Sequence, residues 1–156
     1  MESNYQKKCC VTGHRDIPAE RMDYVRESLG KEINLAIADG FNYFISGFAK
    51  GVDLMFAEEV SKRIRNDREI FLEAAIPYAG RLDTGDPLFQ SLLPYCCRIH
   101  VTNQVYDKQC FLDRNLYMIQ NSQRLIAVYD GRRRGGTLYT MNRAYGMGKE
   151  VRVIRV

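Results

Sequence analysis

A glycine-containing turn has the sequence Ser46-Gly47-Phe48-Ala49-Lys50-Gly51-Val52-Asp53. It follows a short apolar run, Tyr43-Phe44-Ile45, and opens an amphipathic run from Leu54 to Arg65. This order predicts a strand, a turn and a helix, which together present backbone N–H groups to a phosphate at the helix N-terminus. Gly47 and Gly51 lack a Cβ atom, so the backbone can turn sharply and a ligand can come close. The same pattern is also typical of a tight turn without a ligand, and both interpretations stand at this point.

Strand-like and helix-like segments alternate along the whole chain. Short apolar runs predict six strands, near residues 8–12, 41–46, 69–77, 98–102, 124–129 and 151–156. Apolar residues at three- and four-residue steps predict helices between them, the longest from about residue 19 to residue 39. The alternation predicts an α/β fold, a three-layer Rossmann-like sandwich with a mostly parallel sheet of about six strands. Because composition does not change along the chain, we expect one domain spanning residues 1–156.

The unusual loops of the chain follow predicted strands. Gly13-His14-Arg15 follows the first strand, Ser46 to Asp53 follows the second, and Gly135-Gly136-Thr137 comes after the fifth. Ligands of open α/β sheets bind outside the carboxyl ends of the strands, where the strand order reverses. We therefore expect these loops to lie on one rim and to form one binding site.

Composition bounds the class of protein. The chain has 156 residues, of which 46% are hydrophobic and 27% charged, and this balance suits a folded chain with one core. No apolar run approaches the ~20 residues that span a bilayer. The segment from Met1 to Lys8 is polar and lacks the apolar core of a secretory signal. We therefore expect a cytoplasmic protein with no membrane partner. The net charge of +4 is mild and favours anionic ligands.

The cysteines and histidines predict neither a disulfide framework nor a zinc site. The cysteines form two vicinal pairs and a single residue, without Cys-x-x-Cys spacing, and no histidine cluster accompanies them. We expect no metal site, and we expect the thiols to be reduced and mostly buried. The residues concerned are Cys9, Cys10, Cys96, Cys97, Cys110, His14 and His100.

Three motifs together resemble a known family. They are Val11-Thr12-Gly13-His14-Arg15, then Ser46 to Asp53, then Asp130-Gly131 followed by Gly135-Gly136-Thr137. In this order they are similar to the YpsA-like proteins of the SLOG superfamily, which groups the DNA-processing DprA/Smf proteins with the LOG phosphoribohydrolases. The resemblance covers nearly the whole chain. It implies a Rossmann-like domain for a nucleotide or nucleotide-derived ligand, with NAD and ADP-ribose among the candidates. LOG-like relatives often pair as homodimers, so a homodimer is a further expectation.

The expected contacts to phosphate and ribose come from the loops and from one helix. Arg15 can grip a phosphate with its forked guanidinium, and His14 can bond a ribose or a base. Ser46 offers a hydroxyl and Lys50 a point charge, whereas Asp53 is typical of a cap or loop anchor. The predicted ligand-binding residues are Gly13, His14, Arg15, Ser46, Gly47, Lys50, Gly51, Asp53, Arg114, Asp130, Gly135, Gly136 and Thr137.

The turn Gly135-Gly136-Thr137 opens the last predicted helix and is a second candidate for a phosphate. The N–H groups at a helix N-terminus point outward, and the helix dipole favours an anion there. Asp130, at the end of the fifth strand, either binds ribose hydroxyls or only ends the strand.

The resemblance also bears on catalysis. In LOG enzymes an arginine on the fourth helix, together with a glutamate after the Gly-Gly-Thr turn, cleaves the N-glycosidic bond of nucleoside monophosphates. Arg114 resembles that arginine, but Thr140 stands where the glutamate would help. A glycosidase needs a carboxylate to steady its transition state or activate water, so no catalytic residue is assigned. The carboxylates that could substitute are Glu58, Asp83 and Asp130.

The sequence therefore favours a cytoplasmic binding domain for a nucleotide-derived ligand, a sensor or regulator in an unassigned pathway. The alternative is a nucleotide-processing enzyme such as a LOG-like phosphoribohydrolase, with His14 or a loop carboxylate as acid/base and Arg114 as electrostatic helper. The second alternative is DprA-like binding of single-stranded DNA. Nucleic acid is the less favoured partner, because the chain has one dense basic run, Arg132-Arg133-Arg134, and a modest net charge.

Overall fold

The computed structural model describes residues 6–156. The strands are β1 (Lys8–Gly13), β2 (Tyr43–Ser46), β3 (Phe71–Tyr78), β4 (Cys96–Asn103), β5 (Arg124–Tyr129) and β6 (Glu150–Arg155). The helices are α1 (Met22–Ala38), α2 (Val52–Ile64), α3 (Pro87–Leu92), α4 (Cys110–Gln120) and α5 (Gly136–Gly146). Short 3-10 segments cover Ala19–Arg21, Ala79–Asp83 and Leu93–Tyr95. All six predicted strands are present, with ends within two residues of those expected from the apolar runs.

The predicted three-layer α/β architecture is confirmed. All six strands are parallel, in the order β4-β3-β2-β1-β5-β6. Helices α1, α2 and α3 pack on one face of the sheet, and α4 and α5 pack on the other. The chain runs outward from β1 to β4 and then returns to place β5 beside β1. The strand order therefore reverses between β1 and β5, which is where such sheets bind ligands.

The central strands are buried on both faces, which explains their continuous apolar runs. In β1, Cys9 and Val11 point into the core under α1 and α2, whereas Cys10 points into the core under α4 and α5. In β5, Ile126 points into the core under α1 and α2, and Leu125 points into the core under α4 and α5. The alternation of side chains along a strand sends each such run to both helical layers.

One carboxylate is buried within the sheet. Glu73, on β3, is 1% exposed, and it accepts hydrogen bonds from the hydroxyls of Tyr43 on β2 and Tyr117 on α4. Burial and these hydrogen bonds raise the pKa of both tyrosines, so both remain protonated donors. The arrangement satisfies a polar group that would otherwise cost several kcal/mol in an apolar interior.

The turn between β2 and α2 has two residues in the left-handed region. Gly51, directly before α2, has φ = +97°, a conformation that suits glycine because it has no Cβ. Phe48 has φ = +55°, which is uncommon for a bulky residue. Its ring is fully buried and meets Phe89 of α3 edge-on at 5.3 Å, so core packing offsets the backbone strain.

Two findings concern the surface and the thiols. Within residues 6–156, no helix combines the length and the apolar character that crossing a membrane requires. Cys9, Cys10 and Cys110 are buried, and burial raises the pKa of the Cys10 thiol to about 12. Cys97 is exposed, because it lies on the edge strand β4.

The N-terminus of α2 lies directly against β1 at Gly13. A Cβ added to Gly13 would stand 2.6 to 2.8 Å from the side chain of Val52, which is buried in the core. We expect Gly13→Ala to lower the free energy of unfolding by about 1–3 kcal/mol, because overpacking forces α2 to shift. Urea denaturation measures this change.

Two companion variants make the comparison specific. Val52→Ala removes two of the three colliding atoms, Cγ1 and Cγ2, and keeps Cβ, so the double variant with Gly13→Ala should lose less stability than the two single changes added together. Gly146→Ala, in α5, adds a Cβ that meets no atom within 4 Å, and it should be neutral or stabilise by up to ~1 kcal/mol. A Gly13→Ala protein as stable as the parent would contradict the proposed collision.

Candidate ligand-binding site

A cleft of about 470 Å³ opens between the loop that follows β1 and the loop that follows β5. Its volume falls in the range of ~300–1,000 Å³ that is usual for small-molecule sites. Eight of the thirteen predicted ligand-binding residues line it: Gly13, His14, Arg15, Asp53, Arg114, Gly135, Gly136 and Thr137. The topology thus brings residues that are more than a hundred positions apart in the sequence to one rim.

Arg114 extends from α4 into the interior and is only 4% exposed. Its Nη1 donates to the carbonyl of Gly47 at 2.7 Å and, over a longer 3.4 Å, to the carbonyl of Ala75. Its Nε donates to the Oδ1 atom of Asn115 at 2.8 Å. Within residues 6–156, Nη2 makes no hydrogen bond, and it is not sealed from solvent. Arg114 therefore lines the cleft with one donor left for a ligand.

Asp53, in the first turn of α2, shares this interior with Arg114. Its Oδ2 atom and the Nη1 atom of Arg114 each lie 2.8 Å from the position that a Cβ of Gly47 would occupy. Only glycine fits at this position. Burial raises the pKa of the Asp53 carboxyl group, and the positive charge of Arg114 opposes that rise. The N–H of Ala49 donates to Oδ2 over 3.4 Å. Asp53 thus anchors the turn, and no side chain caps α2 at this end within the described chain.

The hydrogen bonds of Ser46 stay within the turn between β2 and α2. The hydroxyl of Ser46 is fully buried; it donates to the carbonyl of Asp53 at 2.8 Å and accepts from the N–H of Phe48 at 3.1 Å. Four predicted residues of this turn do not line the cleft: Ser46, Gly47, Lys50 and Gly51. Their contacts to phosphate stay predictions. The contacts described above give the turn a positioning role, because it holds Arg114 and the start of α2.

His14 is 5% exposed and is bonded to the end of β5. The backbone N–H of Asp130 donates to His14 Nε2 at 3.1 Å, and Asp130 Oδ1 lies 3.1 Å from the same nitrogen. A neutral ring that accepts at Nε2 carries its proton on Nδ1, whereas a protonated ring donates from Nε2 to the carboxylate. Burial lowers the pKa of His14, although the Asp130 charge opposes this, so the neutral ring dominates at pH 7. The contact to Asp130 Oδ1 also suits a neutral ring that carries its proton on Nε2, in which Nδ1 is an acceptor.

Asp130 is held by Arg132 and does not line the cleft. Arg132 binds the Asp130 carboxylate through Nε and Nη2, at 2.6 to 3.1 Å. The same guanidinium reaches Asp16, after β1, at 2.9 Å. The hydrogen bonds from Arg132 lower the pKa of Asp130, which therefore remains ionised. This bridge ties the loops on the two sides of the strand reversal, and its partners leave Asp130 less free for the predicted ribose contact.

The N-terminus of α5 faces the cleft through Gly135, Gly136 and Thr137. Gly135 has φ = +113°, and no side chain among residues 6–156 caps this helix end. The first N–H groups of a helix lack partners within the helix and carry partial positive charge. A Cβ on Gly136 would meet no atom within 4 Å, so the space beside this helix end is open.

Thr140, which the resemblance places where LOG enzymes have a glutamate, lies in the interior. Thr140 is fully buried, and its Oγ1 accepts a hydrogen bond from Asn115 Nδ2 at 3.0 Å. This bond joins α4 to α5. Among the lining residues, carboxylates come only from Asp16, which pairs with Arg132, and Asp53, which packs against Arg114.

Several lining residues were not predicted from the sequence. Phe111, Asn115 and Met118 recur on α4 at helical spacing around Arg114, and this spacing was the available signal. The other unpredicted lining residues are Val11, Thr12, Asp16, Ala49, Leu112 and Arg132. Across the described part of the chain, no group of three or more His, Cys, Asp or Glu side chains could hold a metal ion.

Comparisons with known proteins identify the fold. No protein-family model matches the chain, and no curated protein matches its sequence. One solved structure with the same fold is DNA processing protein A from Helicobacter pylori, described for its single-stranded DNA binding mode, at a TM-score of 0.69 and 19% identity. That match covers 94% of this chain but only 64% of the other, so this chain spans less than two thirds of its length.

A second structure with this fold is the X-ray structure of TM1055, with a TM-score of 0.57 and 21% identity. The match covers 94% of this chain and 72% of that one. At such identities the two neighbours establish the fold alone. They do not bear on the narrower resemblance to YpsA-like proteins.

The burial of His14 predicts a pH effect. We expect its imidazole to titrate below pH 6.5 in the folded protein, because burial disfavours the charged ring. The unfolded chain then takes up the proton first. The stability contribution is therefore fully present above pH 6.5 and is lost as the pH falls toward the lower folded pKa. NMR titration of the two imidazoles, His14 and His100, measures both values.

Asp130→Asn provides the matched control for this titration. It removes the charge that favours protonated His14, so the pKa of His14 should fall further while that of His100 stays unchanged. A His14 pKa at or above 6.5 in the parent protein would refute the buried, neutral ring.

Proposed function

We propose that this chain is a binding domain for a nucleotide or nucleotide-derived ligand, held in the cleft by its phosphate. The observation that carries this proposal is the pairing of two positive groups across one cleft. On one wall lies the N-terminus of α5, which no side chain of the described residues caps. The buried guanidinium of Arg114 lines the same space, and its Nη2 makes no hydrogen bond to those residues. An anion there gains both backbone donors and a charge-assisted bond.

The balance of charge around the cleft supports an anionic ligand. Arg15 and Arg114 line it without a carboxylate bonded to their guanidinium groups among the described residues, whereas Arg132 is already occupied by Asp16 and Asp130. The resemblance to SLOG proteins favours the same ligand class. YpsA-like membership, a cytoplasmic location and a homodimer remain part of this proposal.

The same contacts favour binding over LOG-like hydrolysis. The buried Thr140 carries no charge that could steady an oxocarbenium-like transition state. Asp53 accepts its hydrogen bond from the turn, at Ala49, and both contacts of Asp130 to His14 are made at Nε2. A binding domain needs only the phosphate contacts, which are the contacts available.

A substitution at Gly136 tests the phosphate site without disturbing the fold. Gly136→Asp places a negative charge at the helix N-terminus, in open space, where it favours the helix by about 0.3–1 kcal/mol. We expect the folded protein to be retained while affinity for a phosphate-bearing ligand falls at least about tenfold. Calorimetry with nucleoside monophosphates, NAD and ADP-ribose measures this, after a thermal-shift screen selects the ligand.

Gly136→Asn is the control, since it has nearly the same shape without the charge. A ligand present at 100 times its dissociation constant should stabilise the parent protein by ~2.7 kcal/mol. If no member of the panel stabilises the parent protein, the proposal fails. Equal affinities of the Asp and Asn variants would place the phosphate elsewhere.

Single-stranded DNA is the second candidate ligand, and one surface observation favours it. Arg133 and Arg134 are exposed beside the cleft residue Arg132, and the Helicobacter pylori fold neighbour is described as binding single-stranded DNA. We expect a labelled oligothymidylate to bind in low salt. Replacing Arg133 and Arg134 with Gln should reduce the salt slope by ~1.4, from ~0.7 for each lost phosphate contact. Absence of binding in low salt would rule this candidate out.

A further inference from the structure

Three aromatic side chains form a cluster at one end of the cleft. Phe111, which lines the cleft, meets Tyr78 with ring centroids 6.4 Å apart and an angle of 87°, and it meets Tyr106 at 6.1 Å and 69°. Tyr78 and Tyr106 also meet edge-on, at 5.4 Å. The rings come from the end of β3, the loop after β4 and the first turn of α4. Mutual edge-to-face packing holds all three in place.

Arg15 covers this cluster on the cleft side. Its guanidinium carbon lies 5.4 Å from the centroid of the Phe111 ring, within the range of a cation–π contact. Arg15 is exposed, so its guanidinium is accessible to a ligand beside the Phe111 ring. Tyr106, which packs against Phe111, is 58% exposed, so part of its ring is also accessible to a ligand.

We propose that Arg15 and Phe111, flanked by Tyr106, form a stacking subsite for the nucleobase of the ligand. The inference rests on the proposed function, because the phosphate of the same ligand would lie at Arg114 and the N-terminus of α5. A planar cation supported by a ring offers a flat surface on which a base stacks, as in proteins that bind single strands. The ligand class is therefore one that carries a base, rather than a sugar phosphate or inorganic phosphate.

In this proposal Arg15 stacks on a base, whereas the sequence predicted that it binds a phosphate. A phosphate contact depends on charge, and lysine retains that charge. A stacking contact depends on the planar guanidinium, and lysine does not supply it. Stacking also tolerates any base, since every base has a π-face, so the subsite should favour larger purines over pyrimidines without strict selection.

The first measurement uses the parent protein and three probes: AMP, ribose 5-phosphate and a short oligodeoxyadenylate. Because base stacking strengthens binding by about 5- to 150-fold, we expect AMP to bind about tenfold or more tightly than ribose 5-phosphate. The oligonucleotide tells whether the base is taken from a free nucleotide or from a strand.

The second measurement compares variants of the subsite with a matched pair elsewhere. Phe111→Leu and Arg15→Lys should each weaken AMP binding about tenfold while leaving ribose 5-phosphate binding within about twofold. Arg21 and Tyr24 form another cation–π pair, at 4.6 Å, beside α1 and outside the cleft lining. Arg21→Lys and Tyr24→Leu should leave both affinities unchanged.

The outcomes separate the two proposals. If AMP and ribose 5-phosphate bind the parent protein equally, the base subsite is refuted and the phosphate site stands. If Arg15→Lys leaves AMP affinity unchanged, the stacking role of Arg15 is refuted. If only the oligonucleotide binds, and Phe111→Leu weakens it, the subsite is supported with a strand as the source of the base. If none of the three probes binds, the base subsite is refuted, and the proposed function fails with it only when the other nucleoside monophosphates, NAD and ADP-ribose do not bind either.

Discussion

A buried guanidinium holds the candidate site together. Arg114 reaches from α4 beneath the end of β2, donates to the carbonyl of Gly47 and, more weakly, to that of Ala75 on β3, and lies close to the Asp53 carboxylate of α2. A charged group in the interior is tolerated only when such partners surround it. The space and the partners that the Arg114 guanidinium requires explain two features of the neighbouring turn. Gly47 must lack a Cβ, and the Asp53 carboxyl group is buried close to the guanidinium.

The strand order determines where the cleft opens. Because the chain returns from β4 to place β5 beside β1, the loops after β1 and β5 are separated at the reversal. The bridge from Arg132 to Asp16 and Asp130 spans that gap, and His14 is bonded to the end of β5 beneath it. One side of the cleft is thus held by an exposed ion-pair network and the other by the buried hydrogen bonds of Arg114. Salt screens the first far more than the second.

The spacing of apolar residues predicted the strands and helices well, because the burial of each element determines which of its residues are apolar. The run Ala74-Ala75-Ile76 is apolar since both faces of β3 are covered, and β5 was located residue for residue for the same reason. The rim location of the loops followed from parallel topology. The sequence did not predict which way the side chains of the loops point, because this depends on which backbone groups need hydrogen-bond partners. Ser46 turns inward to satisfy Phe48 and Asp53. Phe111 escaped notice because an aromatic residue on a helix is usually part of the core.

The pairing of β1 with β5 joins distant parts of the chain. Cys9 lies opposite Arg124, so 114 residues separate two neighbours in the sheet. Closing so long a loop is slow, and its entropic cost comes before the contacts that offset it. The cleft needs both the loop after β1 and the loop after β5. A ligand there would contact segments more than a hundred positions apart in the sequence. Its protection would therefore spread to amide hydrogen exchange across the central sheet, rather than remaining in the loops it touches.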